Sequence, residues 1–139
     1  MPALFCLALK PALDAIRAHL PPGAFIVAFL DDIYVVCDAV DVHEIFCYAR
    51  DTLQEVCHID VNLGKLAAWS KNLQPPPTDL HLLGQDVWRG DLPEADRGLK
   101  IVGTPVGTAA YVRRVSCEIV NEEVQLLDSI PQLASLQVS

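Results

Sequence analysis

Two short apolar runs that flank a pair of aspartates constrain the fold of this 139-residue chain more than any other feature. The first run is Phe-Ile-Val-Ala-Phe at residues 25–29, and the second is Ile-Tyr-Val-Val-Cys at residues 33–37. Only Leu30, Asp31 and Asp32 separate them. Because β-branched and aromatic runs favour strands and the connection is so short, the pattern predicts a β-hairpin with an acidic tip.

Helical periodicity is found on both sides of this hairpin. Residues 3–20 predict a helix that Pro11 should kink or restart, residues 41–58 predict an amphipathic helix, and residues 111–127 predict a third that Pro131 ends or kinks. Each predicted helix has an apolar face directed at the core, formed by Leu13, Ile16 and Leu20 in the first, by Val42, Ile45, Phe46, Ala49, Leu53 and Val56 in the second, and by Val112, Val115, Ile119 and Leu126 in the third.

Weaker patterns predict the remaining elements. A second hairpin or extended pair is expected within residues 59–70, a loop at the prolines 75–77, and strands at residues 85–89 and 99–103. The resulting order is helix, hairpin, helix, strands, helix. This order predicts an α+β fold in which helices pack on one face of an antiparallel sheet.

The amino-acid composition limits the classes of protein to which this chain can belong. An apolar fraction of 52% with 20% charged residues indicates a globular chain, and a net charge of -8 is the wrong sign for a self-sufficient nucleic-acid binder. Five cysteines without a Cys-x-x-Cys motif favour reduced thiols and an intracellular protein, nuclear or cytoplasmic. Residues 1–9 are apolar but too short to span a bilayer, so no membrane partner is expected.

The adjacent carboxylates of Asp31 and Asp32 carry the most specific chemistry. Two close carboxylates raise each other's pKa and need a cation to stay ionised, and Mg²⁺ is the natural one because it prefers carboxylate oxygen. Two such ions activate an attacking hydroxyl and stabilise a leaving pyrophosphate. The competing interpretation is structural, since Asp is common at turns, and the hairpin alone favours that interpretation.

Four sequence elements that occur in a fixed order favour the metal-binding interpretation of Asp31 and Asp32 over the structural one. Residues 2–5 (Pro-Ala-Leu-Phe), which open a helix, resemble the reverse transcriptase segment whose usual form is close to Pro-Leu-Ser-Pro-x-Leu-Phe. Residues 29–32 (Phe-Leu-Asp-Asp) resemble the Tyr/Phe-x-Asp-Asp hairpin of that family, residues 62–65 (Asn-Leu-Gly-Lys) its Asn-x-x-Lys element, and residues 99–103 its primer-grip strand pair. Together they resemble the C-terminal part of the palm domain of a non-LTR retrotransposon reverse transcriptase, an RNA-directed DNA polymerase.

The resemblance implies roles for particular residues. Asp31 matches the metal-binding carboxylate of the family, Asp32 its neighbour, and Lys65 a lysine near the phosphates of the incoming nucleotide. The implied cofactor is Mg²⁺, and the implied partners are an RNA template, a DNA primer and deoxynucleotides. A solvated lysine after a turn is the competing interpretation of Lys65.

Four further residues are placed by the resemblance near the nucleotide and the primer-template, namely Pro2, Phe5, Phe29 and Gly103. Core packing is an equally good interpretation of Pro2 and Phe5, and any tight turn would explain Gly103. The implied organisation is a partial palm at residues 1–107 and the start of a helical thumb at residues 108–139. Arg113 and Arg114 in the latter fit a nucleic-acid contact or a solvated helix face.

The chain also departs from the family pattern. The family has a further catalytic Asp on a strand before the helix that Pro2 opens, and basic fingers, and neither is recognised here. We therefore expect weak Mg²⁺ binding and no polymerisation by this chain alone. The alternative hypothesis is a non-catalytic α+β module that binds a protein partner, or self-associates through an exposed palm edge.

One possible pair of metal ligands does not form a complete zinc site in the sequence. His43 and Cys47 stand four residues apart on the second predicted helix. Cys57 is ten residues further on, roughly 15 Å along a helix, which is too far from Cys47 for the two to share one zinc ion. The pair is therefore interpreted as core or surface residues.

Overall fold

The computed structural model describes residues 2–72 and 75–129. Within these residues the α+β class is confirmed, with three α-helices and two separate two-stranded antiparallel sheets. The helices are α1 (Pro2–His19), α2 (Val42–Cys57) and α3 (Ala109–Ser129), and the strands are β1 (Phe25–Phe29), β2 (Asp32–Val36), β3 (Gly98–Ile101) and β4 (Thr104–Gly107). The chain divides into two compact units, Met1–Gly90 and Asp91–Ser139.

The core of the first unit lies between α1, α2 and one face of the β1–β2 hairpin. Ile16 of α1 is fully buried, and its buried neighbours are Leu9, Ala12, Ile26, Ala49 and Leu53. Leu13 and Leu20 pack against this cluster, so the predicted apolar face of the first helix is confirmed. Pro11 lies inside α1, which runs on past it to His19.

Helix α2 packs on two sides. Ala49 and Leu53 belong to the core with α1, whereas Val42 and Phe46 pack against a second cluster formed by Leu80, Leu83 and Val87. The prediction was wrong for Val56, whose side chain is 48% exposed. The helix ends at His58, whose left-handed conformation (φ 55°) lets its N–H donate to the Gln54 carbonyl at 3.1 Å.

The predicted second hairpin at residues 59–70 and the strand at residues 85–89 were wrong. Leu63–Lys65 forms a 3-10 turn, and Ala68 forms an isolated parallel bridge with Trp88. The Asn62 side chain accepts a hydrogen bond from the Gly64 N–H at 3.0 Å. An Asn that binds nearby backbone in this way favours a turn over a strand.

The second unit is built from the β3–β4 hairpin and α3. Gly98 pairs with Gly107, and the ring of Tyr111 lies against both, so closely that a Cβ on either glycine would overlap it. Thr108 caps α3, since its hydroxyl accepts from the Tyr111 N–H at 3.2 Å. Residues 102 and 103 form the hairpin turn rather than the end of the predicted strand.

The third predicted helix is confirmed as α3. Val115 is buried, and Val112 and Ile119 are half-buried. The Leu126 side chain and the predicted break at Pro131 lie outside the described residues. The proposed boundary between residues 107 and 108 falls inside the second unit and stays a prediction. Across residues 2–72 and 75–129, no helix combines the length and apolar character needed to cross a membrane.

Candidate functional site

The predicted acidic hairpin is present, and its turn is as short as an antiparallel hairpin allows. Phe29 pairs with Asp32, which leaves Leu30 and Asp31 as the two-residue loop. Leu30 has a φ of 55°, a left-handed conformation that is uncommon for a residue with a branched side chain. Hairpin turns of this length usually place Gly, Asn or Asp at positive φ, so the tip of this hairpin is held in a strained conformation.

The two aspartates occupy different positions on the hairpin. Asp31 lies in the loop and Asp32 is the first residue of β2, and both are exposed. The Tyr34 hydroxyl donates to Oδ2 of Asp32 at 3.2 Å. Side chains two apart in a strand share a face, so Asp32 belongs to the same face of the hairpin as Tyr34. Tyr34 was not predicted from the sequence as a partner at the tip, although its position two residues after Asp32 was the available signal.

The two faces of the hairpin differ in burial. Ile26 is only 6% exposed and packs with Ala28 and Ile33 against the helices. The opposite face carries Phe25 (52% exposed), Val27 (47%) and Phe29 (52%), paired across the strands with Val36, Tyr34 and Asp32 respectively. We call this exposed row of Phe25, Val27, Phe29, Tyr34 and Val36 the outer face. Phe29 therefore lies beside the aspartates, as one member of an exposed apolar surface.

Lys65 lies at the end of the 3-10 turn, with its side chain exposed. Its backbone N–H donates to the Asn62 carbonyl at 3.0 Å. Among the ion pairs of the described residues, none joins Lys65 to Asp31 or Asp32. The structure thus gives Lys65 a defined backbone position but does not pair its ammonium group with the acidic tip.

The other residues implied by the resemblance are spread over the two units. Phe5 lies on α1 with its side chain 38% exposed, and the Pro2 side chain lies outside the described residues. Gly103 is the second residue of the β3–β4 turn, with a φ of 80° that follows the 48° of Val102. Positive φ at both positions is the geometry of a type I′ hairpin turn, which explains a glycine there.

Arg114 has intramolecular partners that neither interpretation of the sequence anticipated. Its guanidinium donates to Glu118 at 2.7 Å and to the Ala95 carbonyl at 3.0 Å, and it forms an ion pair with Asp96 at 3.1 Å. The hydrogen bond to Glu118 is the main reason that the pKa of Arg114 is raised. Arg114 therefore joins α3 to the segment before β3, while Arg113 is exposed.

A small cavity of about 160 Å³ lies at the other end of the acidic hairpin. Residues 21–24 line it on one side, and Val36, Cys37, Asp38 and Asp41 line it on the other. Burial raises the pKa of the Cys37 thiol, and the carboxylates of Asp41 and Asp38 raise it further. This thiol is therefore protonated over a wider pH range than an ordinary cysteine.

The metal-binding capacity of the tip is limited. In the part of the chain that the structure describes, no group of three or more His, Cys, Asp or Glu side chains is placed to hold a metal ion. Asp31 and Asp32 supply two exposed carboxylates. A Mg²⁺ ion there would keep most of its waters and bind weakly until a further oxygen ligand joined it.

Comparison with known proteins identifies no relative of this chain. No family model matches the chain, and no match is found among curated proteins or solved structures.

Proposed function

We propose that this chain is the metal-binding hairpin region of a reverse transcriptase palm, and that Asp31 and Asp32 hold Mg²⁺ for nucleotidyl transfer. The observation that carries the proposal is the strained two-residue turn, in which Leu30 at a φ of 55° presents two exposed aspartates between packed strands. Backbone strain of this kind clusters at active sites and ligand-binding sites, although Val102 at φ 48° shows that the β3–β4 turn contains it as well.

In the proposed reaction, the 3′ hydroxyl of a DNA primer paired with an RNA template attacks the α-phosphate of a deoxynucleotide. The new bond joins the primer oxygen to that phosphorus, and the bond from the phosphorus to the oxygen that bridges to the β-phosphate breaks. Pyrophosphate leaves with that electron pair, and the hydroxyl proton passes to water. Asp31 and Asp32 would hold Mg²⁺, which would supply a lower pKa for the attacking hydroxyl and positive charge against the phosphates. Lys65 is assigned to the leaving pyrophosphate, as a proton donor or a neutralising charge.

A palm-type sheet would require a further strand beside the β1–β2 hairpin. The sheet of these two strands has no third strand within the described residues, and the proposal requires that a strand carrying another carboxylate pairs at one of its edges. Such a carboxylate would complete the oxygen ligands that the tip lacks. Without it, we expect weak metal binding and no polymerisation by residues 1–139 alone.

Metal binding at the tip is tested by titrating the chain with Mn²⁺ as a paramagnetic substitute for Mg²⁺. We expect line broadening of the amide resonances centred on Leu30, Asp31 and Asp32, competed by Mg²⁺ and lost in Asp31→Asn. Asp38→Asn, which removes a carboxylate at the other end of the hairpin, is the matched control and should retain the broadening. Broadening centred on Asp38 and Asp41 instead would contradict the assignment.

Polymerase chemistry is tested by sequencing the transcript upstream of Met1 and expressing any continuous reading frame together with residues 1–139. We expect primer extension on an RNA template that Asp31→Asn abolishes and Asp38→Asn leaves intact. If the joined chain binds Mn²⁺ at the tip but extends no primer, the tip is a metal site of another kind.

The outer face supports a second candidate function, a protein-interaction module. Phe25, Val27 and Phe29 are each about half exposed on one side of a hairpin, which is typical of a surface that a partner or a second copy covers. Concentration-dependent association that Val27→Lys abolishes, and that neither Mg²⁺ nor Asp31→Asn affects, would favour this function over the first.

A further inference from the structure

Helix α2 carries a histidine and a cysteine whose side chains meet on its surface. His43 and Cys47 are one helical turn apart, and the structure brings Nε2 of His43 to 3.8 Å from Sγ of Cys47. Both side chains are half-buried, so the pair is positioned by its surroundings and still open to solvent. From the sequence alone, the pair is interpreted as core or surface residues, because Cys57 is too far from Cys47 to share one ion with it.

The separation of the two atoms matches the geometry of a chelate. Zinc binds a cysteine sulfur at about 2.3 Å and a histidine nitrogen at about 2.0–2.1 Å, with ligands in tetrahedral directions. Those bond lengths and angles place the sulfur and the nitrogen about 3.5 Å apart on the same ion. The observed 3.8 Å is close enough that small rotations of the two side chains would bring both atoms to one ion.

The two ligand atoms of the pair also determine which metal it can bind. Imidazole nitrogen and thiolate sulfur together select a soft divalent cation rather than Mg²⁺.

We propose that Nε2 of His43 and Sγ of Cys47 bind Zn²⁺ as a two-ligand chelate whose remaining positions are held by water. Binding releases the thiol proton of Cys47, and the neutral imidazole donates its Nε2 lone pair. Because no third His, Cys, Asp or Glu completes the group within the described residues, the site keeps open coordination positions. It differs in ligand chemistry from the acidic tip and does not depend on the function proposed for Asp31 and Asp32.

The test is a titration of the reduced full chain with Co²⁺, which reports thiolate ligation through a sulfur-to-cobalt charge-transfer band. We expect the band to saturate at about one ion per chain and to be bleached by Zn²⁺. Cys47→Ser should abolish the band. His43→Gln should weaken Co²⁺ binding by about tenfold or more, since even the loss of an outer-shell partner of a metal ligand has an effect of that size.

Cys117→Ser is the matched control, because Cys117 is an exposed helical cysteine with Arg113, rather than a histidine, one turn before it. This variant should keep the band unchanged. Far-ultraviolet circular dichroism checks that each variant retains its helices. The proposal is overturned if the full chain gives no band, or if the band persists in Cys47→Ser and disappears in Cys117→Ser.

Discussion

The two hairpins of the described residues have the same length of turn but are stabilised in different ways. The β3–β4 hairpin ends in Val102 and Gly103 and is held at its base by Tyr111, which lies against the paired Gly98 and Gly107. The β1–β2 hairpin contains no glycine, ends in Leu30 and Asp31, and leaves an apolar outer face in contact with solvent. The β3–β4 hairpin fits a structural role, whereas the β1–β2 hairpin retains features that packing alone does not require.

The two hairpins differ in the backbone conformation of their turns. Each turn holds one non-glycine residue at positive φ, but the β3–β4 turn places Gly103 (φ 80°) beside Val102 (φ 48°), whereas the β1–β2 turn has Leu30 (φ 55°) and no glycine. The exposed apolar residues beside the turn at Leu30 are a second feature of the β1–β2 hairpin that stability alone does not explain. Positions where a sequence departs from local stability rules are expected to be functional or strained sites.

The largest expected effect separates the two faces of the acidic hairpin. Ile26→Ala should lower the free energy of unfolding by about 3 kcal/mol, because it leaves a cavity between the hairpin and the helices. Val27→Ala, on the outer face, should change it by no more than about 0.5 kcal/mol. Urea unfolding followed by circular dichroism measures both. Equal effects would mean that the outer face is covered in solution.

In the other hairpin, Gly107→Ala should destabilise by about 2 kcal/mol, because the added Cβ would overlap the Arg97 carbonyl oxygen and the Cα of Gly98. These are backbone atoms, so they cannot rotate away. Val106→Ala, at the neighbouring and partly exposed position, is the control and should have little effect. A tolerated alanine at residue 107 would show that Gly107 does not lie as close to the Arg97 and Gly98 backbone as described.

The two turns should respond differently to relief of strain. Val102→Asn should stabilise the chain by about 1 kcal/mol, since asparagine tolerates the left-handed conformation that a β-branched residue resists. Leu30→Gly should gain less, about 0.5 kcal/mol, because the flexibility of glycine in the unfolded chain offsets part of the relief. If the strain serves metal binding, Leu30→Gly should also weaken the Mn²⁺-induced broadening at the tip, while Val102→Asn leaves it unchanged.

The smallest effect is at the base of the acidic hairpin. Because burial and two carboxylates raise the pKa of Cys37, less of it is thiolate at neutral pH, and a soluble alkylating reagent should modify it more slowly than the exposed Cys117. Its rate should keep rising with pH after an ordinary thiol has reached its plateau. Mass spectrometry of partly alkylated chain measures both rates. Asp41→Asn should speed the reaction at Cys37, and no change would mean that burial alone sets its pKa.

Periodicity predicted the helices well, because an apolar face at 3.6-residue spacing has few alternatives. The acidic hairpin was also predictable, since two strand-forming runs lie so close together. The extended pair at residues 59–70 was wrong because local hydrogen bonding by Asn62 outweighs the strand preference of its neighbours. The partners of Arg114 were not predictable, because Asp96 lies in a turn whose position depends on the packing of α3.

The amino-acid sequence by itself determined the three helices, the position of the acidic turn and the two carboxylates at its tip. Only the tertiary structure decided which face of the acidic hairpin is buried. All five residues of β1 are apolar, so their alternation contains no information about which side faces the core. The helices α1 and α2 make that choice by covering Ile26 and Ala28, and it leaves Phe25, Val27 and Phe29 on the surface beside Asp31 and Asp32.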